Sequence, residues 1–159
     1  MKIGIVAVGR LKAGPERELA DRYLDRFSKA GSSLGLSFRG VIELAESRAR
    51  TAQERRRDEA DRLRGAMAAD ATTILLDETG KALSSAQFSQ RLQAMRDGGT
   101  RDLDILIGGP DGFDRALLDG ANSISFGRMT WPHQIVRVML AEQLYRAATM
   151  LSGHPYHRS

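Results

Sequence analysis

Three short stretches combine glycines with polar residues at the ends of apolar runs. They are Leu76-Asp77-Glu78-Thr79-Gly80-Lys81, Gly108-Gly109-Pro110-Asp111-Gly112 and Gly127-Arg128-Met129-Thr130-Trp131-Pro132-His133. Glycines in such places let backbone amides and carbonyls approach a ligand closely. A fourth group crowds the end of the chain, His154-Pro155-Tyr156-His157-Arg158, with two of the three histidines. Imidazole titrates nearest neutrality, a guanidinium grips phosphate, and a phenol ring stacks or hydrogen-bonds. The tail can therefore pass protons and hold phosphate. His154 and His157 have no carboxylate near them in sequence and make a poor ligand set, so no metal is expected. Cysteine is absent, which removes disulfides, thiolate zinc sites, iron–sulfur clusters and a thiol nucleophile. No strand is followed by a G-x-x-x-x-G-K-[ST] loop, a G-x-G-x-x-G turn or a G-x-S-x-G elbow. P-loop, dinucleotide and serine-hydrolase chemistry thus lack their fingerprints.

The surrounding pattern says how these groups are held. Residues 2–8, 36–45, 72–76, 103–107 and 121–126 read as strands. Between them, Pro15 opens a helix to about Ala30, with Leu19, Tyr23 and Phe27 as an apolar stripe. Residues 50–69 form a charged helix with a thin apolar face, Ala52, Ala60, Leu63 and Met67. Ser84 or Ser85 caps a helix to about Asp97, and residues 114–119 form a short one. His133 begins a last helix running to about Ser152, in which Glu142 and Arg146 are placed for an i,i+4 ion pair. Strands alternating with helices imply a mainly parallel sheet covered on both faces, in one α/β domain over residues 1–159. If the strands are parallel, the three glycine loops share one edge, outside the carboxyl ends where such sheets bind ligands. Asp77–Gly80 is expected to be the turn that ends its strand.

The 159-residue chain is 42% apolar and 28% charged, which suits one globular domain. Its charge of +4 lies in the first part: residues 1–70 hold 15 basic and 11 acidic side chains, residues 71–159 nine of each. The densest run is Arg55, Arg56 and Arg57, diluted by Glu54, Asp58 and Glu59. Two readings stand: a solvated helix face, or a surface that meets RNA phosphate. No apolar run approaches the ~18 residues of a membrane span, so a soluble cytoplasmic protein is the expectation.

Taken together, the Leu76–Lys81 segment, the Leu106–Gly112 loop, Thr130–Gln134 running into Arg137–Ala147, and the tail His154–Arg158 resemble the RlmH family of the SPOUT class of methyltransferases. The resemblance spans the chain and is most specific in its second half; Thr79 and Trp131 stand where variation is expected. It implies an α/β fold with a C-terminal deep trefoil knot, an exception to the rule against knots. It also implies a homodimer with its active site near the interface. The implied cofactor is S-adenosylmethionine, lined by Leu76, Gly108, Gly127, Arg128, Met129, Thr130, Trp131 and Pro132. The implied reaction is methylation of N3 of a pseudouridine in the helix 69 loop of 23S rRNA, on the assembled 70S ribosome. Tyr156, His157 and Arg158, with Arg146, would serve the RNA side, and His157 would handle the N3 proton. Two other readings remain open: a non-enzymatic RNA-binding module in ribosome assembly, and a methyltransferase of the same fold acting on tRNA.

Overall fold

The computed structural model describes residues 1–153. Strand β1, Lys2–Val8, is buried from Ile3 onward. Ile3, Ile5 and Ala7 join one core and Val6 and Val8 another, so both faces are covered and the run is apolar throughout. Helix α1, Pro15–Ser32, starts with proline and two first-turn glutamates, the residue types a helix N-terminus favours. Strand β2 is Ser37–Leu44. Helix α2, Ala52–Ala66, opens on a capping box between Thr51 and Glu54. Strand β3 is Thr72–Ala82. Helix α3, Ser85–Asp97, has the same device between Ser84 and Gln87. Strand β4, Asp102–Ile107, helix α4, Arg115–Leu118, strand β5, Ser123–Ser125, and helix α5, His133–Leu151, complete the order.

Among the described residues the strands form one five-stranded sheet in the order β2-β1-β4-β3-β5. Every pairing is parallel, so all carboxyl ends lie on one edge. Helices α1, α3 and α5 cover one face, with Leu24, Phe27, Leu92, Leu140 and Leu144 packed on Ile5, Ile74 and Ile105. On the other face Leu63 of α2 and Phe113 pack on Val6, Val8, Leu75 and Leu106, with Leu117 and Leu118 of α4 beside them. Asp104, fully buried in β4, is paired with Arg39 and accepts the Ala68 N–H at 2.8 Å, which anchors the α2–β3 connection.

The α/β class, the alternation and the parallel sheet are as expected. Three details differ. The buried face of α1 is Ala20, Leu24, Phe27 and Gly31, and Leu19 is exposed. Strand β5 is only three residues long. Strand β3 does not end at Leu76: it pairs with β5 at Leu75 and Leu76, bulges over Asp77–Gly80, and pairs with β5 again at Lys81 and Ala82. The expected turn is therefore an excursion within a strand. Asp77 stabilises it, accepting both the N–H and the hydroxyl of Thr79, at 2.9 and 2.5 Å.

Candidate functional site: a glycine-lined cleft at the strand ends

A cleft of about 620 Å³ opens where β3, β4 and β5 end. Its walls are Leu76, Asp77 and Glu78 from β3, Ile107 through Phe113 from β4 and its loop, and Ile124 through Gly127 from β5 and the residues after it. Met129 through His133 and Val136 close the remaining side. The chain's three glycine-bearing stretches thus meet at one site. Gly109, Pro110, Asp111 and Gly112 make a tight turn closed by the Gly112 N–H on the Gly109 carbonyl at 3.0 Å. Gly112 has φ +78°, which glycine tolerates at no steric cost. The Ser125 hydroxyl donates to the Gly127 carbonyl at 2.9 Å and accepts the Gly127 N–H at 3.1 Å, fixing the turn out of β5.

The cleft's charge is one-sided. Asp77, Glu78 and Asp111 line it, His133 adds an imidazole, and no lysine or arginine is among its lining residues. Met129 and Trp131 are exposed at its rim.

Helix α2 supports the floor. Arg55 holds the Asp111 carboxylate with two hydrogen bonds, at 2.6 and 3.1 Å. Arg56 donates to the Asp111 carbonyl at 3.4 Å. The Arg55 hydrogen bond, reinforced by the charges of Arg55 and Arg56, holds the Asp111 carboxyl below its ordinary range. One turn on, Glu59 is buried, and its Oε1 accepts the Ser47 N–H at 2.9 Å. Its Oε2 has no hydrogen-bond partner. Burial, with the nearby negative charges of Asp111 and Glu46, pushes the Glu59 carboxyl up.

A second set of contacts fixes the N-terminal part of α5, which follows the loop that closes the cleft. Arg137, 5% exposed, donates to the Gly9 carbonyl and to Glu43. Glu43 also accepts the Leu11 N–H at 3.0 Å and an Arg17 N–H at 3.2 Å. Burial alone would raise the Glu43 carboxyl; the Leu11 N–H, Arg137 and Arg17 outweigh it and hold the group low.

Of the residues singled out in sequence, Leu76, Gly108, Gly127, Met129, Thr130, Trp131 and Pro132 all line the cleft, and Arg128 is not among its lining residues. Arg55 and Arg56 are turned onto the cleft's own loop, whereas Arg57 is exposed on α2. Arg146 makes the i,i+4 pair with Glu142, at 2.5 Å. Tyr156, His157 and Arg158 lie outside the described residues. Sequence reasoning missed the lining roles of Asp77, Glu78 and His133 and the burial of Glu59. The first three sat inside the motifs; Glu59 gave no signal in a helix dense with charge.

Among the described residues no helix is long and apolar enough to cross a membrane, and no cluster of three or more His, Asp or Glu could hold a metal ion. Comparison with known proteins is consistent across the full length. A family profile described as "Predicted SPOUT methyltransferase" matches residues 1–157. The chain is 58% identical over 160 residues to a Brucella anthropi protein named "Ribosomal RNA large subunit methyltransferase H", covering 100% of both chains. A protein of the same name from Rhizobium meliloti is also 58% identical, and one from Sinorhizobium fredii 57%, again over 100% of both chains. With a parallel sheet whose strand ends gather these loops into one cleft, the chain belongs to the SPOUT methyltransferase family.

Proposed function

We propose that this protein transfers a methyl group from S-adenosylmethionine to N3 of a pseudouridine in the helix 69 loop of 23S rRNA, on the assembled 70S ribosome. The observation that carries the donor assignment is the cleft's composition: glycine-rich walls, the Asp77 and Glu78 carboxylates, and no lysine or arginine among the lining residues, the third carboxylate, Asp111, being paired with Arg55. A nucleotide phosphate would meet acidic groups there, whereas a cationic sulfonium finds complementary charge. The size suits a ligand of this class, since small-molecule sites run from about 300 to 1,000 Å³. The substrate class follows the names of the relatives.

In this reading the backbone groups of Gly108–Gly112 and Gly127–Pro132 recognise the adenosine, with Leu76 as an apolar wall. Asp77 and Glu78 face the positive charge. The donor supplies a methyl carbon bound to a positively charged sulfur, so the acceptor nitrogen displaces a neutral thioether in line. The protein's work is to align the two partners and to take the N3 proton, because a protonated imide nitrogen is a poor nucleophile. His157 takes that proton, Tyr156 stacks on or hydrogen-bonds the base, and Arg158 and Arg146 hold phosphate or a uracil carbonyl. Arg57, exposed on α2, offers charge to rRNA phosphate.

The reading includes a single domain over residues 1–159, a C-terminal deep trefoil knot and a homodimer. A groove of about 510 Å³ supports the dimer: Leu19, Tyr23, Leu83, Phe88, Val138 and Met139 line it. Transfer of labelled methyl groups to 70S particles, free 23S rRNA and bulk tRNA tests the function. Label in the 70S particles alone is expected. Label in tRNA alone would move the substrate, and no label in any would favour a non-enzymatic binding module.

A further inference from the structure

The arginine run of α2 reaches the cleft by a route its charge does not suggest. Arg55 lies 56 positions before Asp111 in sequence, yet its guanidinium forks onto that carboxylate. Arg56 takes the same residue's carbonyl. Together they fix Asp111 at both its side chain and its backbone, in the middle of the turn that lines the cleft. Beneath the turn, a β-carbon placed on Gly109 would lie 2.6 Å from Glu59 Oε2 and 3.0 Å from Val8 Cγ1. Glu59 cannot swing away freely, because it is buried and its other oxygen is held by Ser47. The loop is thus gripped from the side by two arginines and propped from below by a carboxyl group.

We propose that α2 is a positioning element for the methyl-donor site: Arg55, Arg56 and Glu59 act through the Gly108–Gly112 loop to hold its backbone groups in the donor-binding arrangement. The proposal rests on the reading of the cleft as the donor site. None of the three is a catalytic residue. A forked guanidinium–carboxylate pair fixes direction as well as distance, which a single charge contact does not. A loop displaced by about 1 Å can cost a site a hundredfold in rate, so this grip belongs to the site even though its members stand behind it. It also distinguishes Arg55 and Arg56 from Arg57: the first two are spent on the protein's own loop.

The test is a double-mutant cycle on the full chain, Arg55→Ala, Asp111→Ala and both together, with Arg55→Lys as the conservative variant and Arg64→Ala as an exposed control on the same helix. S-adenosylhomocysteine affinity is read by calorimetry, donor KM and kcat by labelled-methyl transfer to 70S particles, ribosome affinity by sedimentation, and folding by thermal melting. Arg55→Ala is expected to weaken S-adenosylhomocysteine binding and raise donor KM about tenfold, with kcat at saturating donor changed far less. In the Asp111→Ala background the same substitution changes donor affinity far less, because the contact that reaches the loop is already gone and the remaining Arg55 hydrogen bonds go to the Ala49 and Arg50 carbonyls, outside the loop. Arg55→Lys restores part of the affinity, and Arg64→Ala leaves it unchanged. If Arg55→Ala melts early, Arg55→Lys decides alone: weaker donor binding at a wild-type melting temperature supports the proposal. Additive effects in the cycle would overturn it, as would ribosome affinity falling while donor affinity holds. Failure of the wild-type protein to bind S-adenosylhomocysteine would instead bring down the reading of the cleft itself.

Discussion

Gly80 lies against the backbone of Ile124 so closely that a β-carbon on it would sit 2.7 Å from the Ile124 amide nitrogen and carbonyl carbon. This contact joins the far end of the β3 excursion to the short strand that leads into the Gly127–Pro132 loop. Two walls of the cleft therefore share one close backbone approach, and neither can move without the other. Backbone cannot step aside as a flexible side chain can. Gly80→Ala should cost about 1–3 kcal/mol of stability by overpacking. It should also weaken S-adenosylhomocysteine binding through the displaced β5. Urea unfolding and calorimetry read the two effects; wild-type values in both would mean the approach is not a constraint.

Glu59 gives stability a pH dependence of known sign. Its folded-state carboxyl is raised above 4.5, chiefly by burial, then by Asp111 and Glu46; the Ser47 N–H and Arg62 oppose this and do not cancel it. The folded protein keeps this proton to higher pH than the unfolded chain does. Its contribution is therefore full below the unfolded value and is lost as pH rises through the folded one. Glu59→Gln should flatten that decline and leave the variant more stable than wild type at neutral pH. Urea midpoints from about pH 5 to about pH 8 would show it. An unchanged slope would mean that the carboxyl titrates normally.

Glu43 acts in the opposite direction. Its folded-state carboxyl lies below 4.5, so its contribution is present above that value and lost as pH falls through the lower folded one. Glu43→Gln should flatten the acid side of the stability profile. Removing its buried partner is harsher: Arg137→Met is expected to cost roughly 3 kcal/mol, since it strips Glu43 and the Gly9 carbonyl of their donor. A loss well below 1 kcal/mol in urea unfolding would contradict the place given to Arg137.

Much of this fold was legible because its signals are local. The limits of β1, residues 2–8, follow from one unbroken apolar run, and a capping serine, Ser84 or Ser85, marks the start of α3; the structure selects Ser84, paired with Gln87. The gathering of the glycine loops followed from alternation of strands and helices, which forces parallel pairing. What could not be read depends on distance in sequence. Nothing local says that Arg55 finds Asp111 or that Arg137 finds Glu43, 94 positions away. The β3 excursion was hidden because Asp77–Gly80 has the composition of a terminating turn; only pairing with β5 returns Lys81 and Ala82 to the sheet. The position of β4 between β1 and β3 is likewise a property of the assembled sheet.

The proposed division of labour between cleft and tail makes a clean prediction. A chain truncated after Gly153 keeps the cleft-lining residues and loses Tyr156, His157 and Arg158. S-adenosylhomocysteine affinity should stay within about threefold of wild type, while methyl transfer to 70S particles disappears. Full transfer by the truncated chain would remove the tail from the chemistry.

The most direct measurement is a crystal structure of the full chain with S-adenosylhomocysteine. The adenosine should lie between Gly108–Gly112 and Gly127–Pro132, with the sulfur on the side of Asp77 and Glu78. A cleft left empty at saturating ligand, or density at any other place on the protein, would contradict the account.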